Sequence, residues 1–185
     1  EYIPFQSSIL FFLDKWVEGI GNFAPGATRT VFSLPFGEFG VLICYEGVFP
    51  DLARRFVHNG ATLLINMTND AWFGETSAPY QHLAMEAMRA VENRVPLVRA
   101  ANTGISAIVG IDGQVQAQTA LSETAFLAEE IAWPQVTSVY TQYGDWFAKL
   151  CAVSVLVMLG CSYIIASFRH YGGNGYARRN EREVA

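Results

Sequence analysis

Two short, unbroken aliphatic runs, residues 41–43 (Val-Leu-Ile) and 63–65 (Leu-Leu-Ile), most narrowly restrict what this chain can fold into. A strand wetted on one face alternates apolar and polar residues, whereas a strand covered on both faces reads as a solid apolar run. Between the two runs, Pro50-Asp51 opens a helix. It carries Leu52, Ala53, Phe56 and Val57 on one face and Arg54, Arg55 and His58 on the other. Asn59-Gly60 stops it. Strand, amphipathic helix and strand in that order predict a parallel βαβ unit and an α/β fold.

The flanking residues extend this pattern. Residues 30–34 read as a further strand, joined to the first run through a hairpin connection over residues 35–40. Pro79 starts a second helix, with Leu83, Ala84, Ala87, Met88 and Val91 expected inward and Glu86 and Arg89 spaced to pair on its flank. Residues 97–101 and 105–111 are strands split by Asn102-Thr103-Gly104, and Asp112-Gly113 is a turn signal into Val115. Residues 124–131 are a final strand candidate. Residues 8–17 form a greasy segment, either a short helix or a membrane-proximal surface.

Residues 150–168 contain no charged side chain and lie between Lys149 and Arg169. Nineteen such residues are long enough to cross a bilayer as a helix; the alternative is a buried core helix. This run helps explain why the chain is 51% hydrophobic and only 16% charged. Tyr140, Tyr143, Trp146 and Phe147 precede it as an interfacial belt. Residues 1–148 hold 15 acidic and 7 basic side chains, net −8; residues 149–185 hold 2 and 5, net +3. The basic side is expected to be cytoplasmic, which places the larger part on the opposite side. Its acidity argues against nucleic acid as a partner.

Three stretches could carry chemistry. Cys44 ends the first aliphatic run, with Glu46 two residues on. A thiol at the mouth of a buried strand is a candidate nucleophile, although a lone Cys is also a common core residue. Cys151 and Cys161 fall in the apolar run, so the globular part has a single thiol, no internal disulfide and no Cys/His spacing for a metal. A carboxylate such as Glu46 does not favour a thiolate by its charge, so Cys44 needs a cation or base from elsewhere. Lys15 and Lys149 are poorly placed; His58 and His82 are candidates that read more simply as surface or helix-flank histidines. The second stretch is Asn69-Asp70-Ala71-Trp72-Phe73-Gly74. It either lines a pocket with a polar floor and an aromatic wall or is a turn with its rings in the core. The third, Arg99-Ala-Ala-Asn102-Thr103-Gly104-Ile-Ser106, either supplies polar groups to a site or simply turns between strands.

Taken in order, several motifs resemble the carbon–nitrogen hydrolase (nitrilase) superfamily, and within it the apolipoprotein N-acyltransferase family of bacterial membrane enzymes. They are Glu1-Tyr-Ile-Pro-Phe, Gly40-Val-Leu-Ile-Cys44-Tyr45-Glu46, Phe49-Pro50, Thr68-Asn69-Asp70-Ala-Trp72-Phe73-Gly74, Ala78-Pro79-Tyr80-Gln81-His82-Leu83, Arg89-Ala-Val91-Glu92 and Arg99-Ala-Ala-Asn102-Thr103-Gly104-Ile-Ser106. The resemblance implies part of a nitrilase-like αββα sandwich over residues 1–132. An aromatic linker (133–148), one transmembrane helix (149–169) and a basic cytoplasmic tail (170–185) would follow. It implies Cys44 as nucleophile, Glu46 and Glu1 as supporting acids, and Tyr45, Asn69, Trp72 and Phe73 as substrate-binding residues.

No cofactor or metal is implied. The implied reaction moves a fatty acyl group from a membrane phospholipid, through a Cys thioester, to the α-amine of a diacylglyceryl apolipoprotein. The implied location is the bacterial inner membrane, with the catalytic part on the periplasmic side. The family's general-base Glu and its Lys precede the Glu-Tyr-Ile-Pro motif. The chain, which starts at Glu1 without Met, therefore reads as a C-terminal piece expected to be inactive alone. A membrane-anchored amidase of the same superfamily and a catalytically silent lipoprotein-binding domain are the alternatives.

Overall fold

The computed structural model describes residues 26, 28–134 and 136–183, with side chains as far as residue 164. Glu1, Lys15 and the greasy segment over residues 8–17 lie outside the described residues. The chain divides between Val136 and Thr137 into two compact units.

In the first unit, six strands form one mixed sheet in sequential order. They are β1 (Val31–Leu34), β2 (Gly37–Ile43), β3 (Leu63–Thr68), β4 (Leu97–Ala101), β5 (Ala107–Val109) and β6 (Val115–Gln118). Strands β2, β3 and β4 are mutually parallel, as two solid apolar runs around a helix predict, and the other pairs are antiparallel. Helix α1 (Pro50–His58) connects β2 to β3, and α2 (Ala78–Asn93) connects β3 to β4. Register sets Leu42, Asn66, Arg99 and Ala107 in one row across the sheet.

Leu42, Leu64, Leu97 and Val109 form the buried core with Ala53 and Phe56 of α1 and Leu83 and Ala90 of α2. Each fully buried leucine contributes about 1.5–3 kcal/mol. Gly40 permits the close seat of α1, because a Cβ there would fall 2.7 Å from the Phe56 side chain. The opposite sheet face is partly open, with Ile43 and Met67 about half exposed. The described residues of this unit thus form one β layer covered on one face by an α layer.

Four expectations need correction. β1 and β2 are joined by a tight turn at Pro35-Phe36, because β2 begins at Gly37, earlier than the aliphatic run alone suggests. Residues 124–131 form no strand: an apolar stretch makes a strand only beside a ladder partner, and Phe126 is 90% exposed instead. The expected strand over residues 105–111 shrinks to Ala107–Val109. Most informatively, α2 buries a different face from the apolar one. Ala84, Met88 and Val91 are exposed, while His82, Glu86, Arg89 and Asn93 are buried beside Leu83. Ionic partners outside the helix turn that face inward.

The second unit contains α3 (Val139–Tyr143), capped by the Ser138 hydroxyl, which accepts from the Thr141 N–H, where an irregular linker was expected. It continues with the long helix α4 (Trp146–Glu183). Residues Trp146–Ile164 have a mean hydropathy of 1.9 and none of that window is buried, unlike a core helix. The length and composition suffice to cross a membrane. Inside the run, the Ser154 hydroxyl donates to the Leu150 carbonyl at 2.9 Å, which removes an unsatisfied polar group. The helix runs on through the basic residues to Glu183.

Candidate active site

Strand β2 ends at Ile43, and residues Cys44–Val48 form a 3₁₀ turn. Cys44 begins that turn at φ 52°, a left-handed conformation that costs a non-glycine residue roughly 1–2 kcal/mol. Such strain persists only where the surroundings over-determine it, and it clusters at functional positions.

Here several ties hold the turn. Glu46 Oε2 accepts from the Ile43 N–H at 2.8 Å, so this carboxylate clasps the turn across its own first residues. The Asn66 amide donates to the Cys44 carbonyl at 2.9 Å, and the Arg89 guanidinium donates to the Val48 carbonyl. Gly47 is buried directly on α2, where a Cβ would lie 2.8 Å from Glu86 Cγ and Oε1.

Cys44 is half-buried and opens onto a cavity of about 630 Å³. Ile43, Met67 and Trp72 give that cavity apolar walls; Asn69, Asn102 and Ser106 bring polar groups. Trp72 is 90% exposed and lies along this cavity. Phe73 turns away instead, edge-on to His82 with centroids 5.8 Å apart. Asn69 Oδ1 accepts from the Ala71 N–H at 3.2 Å and from the Thr103 hydroxyl, which ties this loop to the third stretch. Tyr45 is exposed beside Cys44, with its ring 5.8 Å from His82 and 5.9 Å from Phe49. Among the described residues, no Lys, Arg or His lines the cavity. His58 is exposed on α1, and His82 is not at the surface at all.

A polar cluster that local sequence pattern does not disclose lies beneath this site. Asp70, His82, Glu86 and Arg99 are all at most 2% exposed. The Arg99 guanidinium makes ion pairs with both Asp70 and Glu86. His82 Nδ1 lies 3.1 Å from Asp70 Oδ1, and Nε2 lies 3.0 Å from Glu86 Oε1. Arg99 also donates from Nε to the Ile105 carbonyl at 3.0 Å, and the Asp70 N–H donates to the Thr103 carbonyl at 2.7 Å. The cluster therefore joins the Cys44 turn, the Trp72 loop and residues 102–106. The visible signal was His82 and Glu86 at i,i+4 on one helix face.

Two buried carboxylates and one guanidinium leave a charge that a protonated His82 balances. Burial opposes that proton, but the adjacent Glu86 carboxylate outweighs it, with Asp70 assisting and Arg99 opposing; the His82 pKa is raised. The resulting stabilisation is complete below the ordinary value of 6.5 and is lost as pH rises through the higher native value. Thermal midpoints should therefore fall as pH is raised above 6.5, and His82→Gln should flatten that fall. Equal slopes in the two proteins would contradict this assignment.

Residues 8–140 match the carbon-nitrogen hydrolase family model. Apolipoprotein N-acyltransferase of Geobacter metallireducens is 46% identical over 92% of this chain and 32% of its own length. Its counterpart in Brucella suis is 36% identical over 92% of this chain and 32% of its own. The chain thus spans about a third of the length of the curated relatives it matches. Among solved structures, Nit3 of Saccharomyces cerevisiae, a member of branch 10 of the nitrilase superfamily, aligns with a TM-score of 0.47 and 26% identity. That alignment covers 55% of this chain and 40% of Nit3.

Proposed function

The chain belongs to the carbon-nitrogen hydrolase family, and from that premise we propose that it is the Cys-bearing part of an apolipoprotein N-acyltransferase. The observation that carries this reading is Cys44, held in a left-handed turn at the mouth of a largely apolar cavity. The names of the Geobacter and Brucella relatives support the reaction class.

In the first step, Cys44 Sγ attacks the ester carbonyl of a phospholipid acyl chain. The carbon–sulfur bond forms, the ester carbon–oxygen bond breaks, and the thiol proton ends on the departing lysophospholipid hydroxyl. In the second, the α-amine of a diacylglyceryl-cysteine attacks the thioester. An amide forms, and the proton lost by nitrogen regenerates the thiol. Glu46 keeps the turn closed rather than ionising the thiol, because its carboxylate is committed to the Ile43 N–H. Ile43, Met67 and Trp72 offer the acyl chain an apolar wall, Asn69 brings a polar group to it, and Tyr45 is exposed next to Cys44.

Helix α4 keeps the protein in the bilayer that holds both substrates, which raises their effective concentration. The basic residues after the apolar run favour a cytoplasmic C-terminus. They favour a bacterial inner membrane with the Cys44 unit on the periplasmic side.

The test offers membranes carrying the full-length protein, of which this chain is the Cys-bearing part, a phospholipid with a labelled acyl chain and a diacylglyceryl-cysteine peptide. Labelled amide on the peptide supports the transferase. Label released only as free fatty acid would show water as the acceptor and overturn the reading in favour of a hydrolase.

A further inference from the structure

We propose that His82 is a positioning residue for Cys44: it locks the turn that carries the thiol to the loop that carries Trp72. The inference rests on the reading of Cys44 as the acylated nucleophile and adds a residue that touches no substrate. His82 is 1% exposed and does not line the cavity. Its ring reaches both walls of the site through other side chains. One centroid contact of 5.8 Å is with Tyr45, next to Cys44, and another of 5.8 Å is with Phe73, next to Trp72.

The ring nitrogens make the same two connections. Nδ1 meets Asp70 at 3.1 Å, on the Trp72 loop. Nε2 meets Glu86 at 3.0 Å, and that carboxylate is the surface on which Gly47 of the Cys44 turn is seated. Asp70 extends the link to a third loop through its N–H on the Thr103 carbonyl. His82 Nε2 and Glu86 Oε1 meet as an ion pair without hydrogen-bond geometry, and charge pairs at such depth act in a low dielectric, so they favour one arrangement of the loops. The Cys44 turn is strained at φ 52° and needs support of this kind. Among the described residues, the charged or titratable groups facing His82 are Asp70, Glu86, Arg99 and Tyr45. They give an imidazolium two acceptors and one opposing cation, and the raised pKa of His82 agrees with the former prevailing.

The test compares wild-type, His82→Gln and His82→Phe forms of the full-length protein in membranes, each well below its thermal midpoint. Two rates at Cys44 are followed by peptide-resolved mass spectrometry: acylation by phospholipid, and alkylation by iodoacetamide. Alkylation needs an accessible thiolate but no aligned acyl chain. Loss of alignment by about 1 Å costs on the order of 10²-fold in rate. Acylation should fall by about that factor in both variants, while alkylation changes far less. The wild-type ratio of acylation to alkylation should also decline as pH rises above 6.5, a decline absent from both variants.

Unchanged acylation in the folded variants would reduce His82 to a structural role and overturn the inference. If neither variant folds, the wild-type ratio decides: a flat ratio overturns the proposal and a declining one supports it. Wild-type protein that takes up no acyl group would refute the nucleophile reading itself, an outcome distinct from equal acylation of wild type and variant.

Discussion

Cys44→Ala in the full-length protein, inserted in membranes and supplied with phospholipid, should form no acyl-thioester and transfer no acyl group. Deleting the nucleophile of a covalent mechanism costs on the order of 10⁶-fold in turnover, because the reaction loses the intermediate that divides it into two easier steps. The other two cysteines cannot substitute: Cys151 and Cys161 lie on α4, in the apolar window. The substitution should leave the fold in place. The Cys44 side chain is only partly buried, and the turn is tied through the Ile43 N–H and the carbonyls of Cys44 and Val48, all backbone groups that alanine retains. Lost transfer with an unchanged melting profile is therefore the expected pair of results. Residual thioester in the variant would show that another atom is acylated.

Arg99→Met should be the most damaging single change to the first unit. The guanidinium spans two carboxylates, and all three side chains are essentially inaccessible to solvent. Removing the cation leaves Asp70 and Glu86 buried with only His82 to offset them, a loss of about 3–5 kcal/mol for a broken buried pair. Urea unfolding followed by hydrogen exchange of the β3 and β4 amides would show a midpoint shifted strongly downward. Arg99→Lys should recover little of the loss. A single ammonium cannot reach both carboxylates in fork geometry and still donate to the Ile105 carbonyl. A midpoint equal to wild type in Arg99→Met would mean that the cluster is not the keystone of the three loops.

The contrast between these two residues marks what the chain discloses before it folds. Cys44 was legible because local pattern surrounds it: a solid aliphatic strand before it and a glycine and proline after it. The parallel strands and α1 were legible for the same reason, since periodicity and end signals are local. His82 and Arg99 were not. Hydrophobic periodicity turned α2 toward Ala84, Met88 and Val91, whereas the structure turns it toward His82, Glu86 and Arg89. The deciding partners, Asp70 and Arg99, lie on a loop and a strand separated from α2 in sequence, and only the sheet register brings them together.

Glu46 was legible as a neighbour of the thiol, but its commitment to the Ile43 N–H follows from the turn and not from sequence spacing. Residues 124–131 failed in the opposite direction: a largely apolar stretch found no strand to pair with. Trp72 could be read either way from sequence alone. Its exposure beside the cavity reflects where the loop after β3 leaves the sheet.

The most direct measurement is the mass of the peptide containing Cys44, taken from the full-length membrane protein of which this chain is the Cys-bearing part, after incubation with a phospholipid of defined acyl chain and no amine acceptor. Trapped thioester should add one acyl group to that peptide and be removed by neutral hydroxylamine. A folded protein whose Cys44 peptide stays at its unmodified mass would contradict the assignment of this sulfur as the acyl carrier.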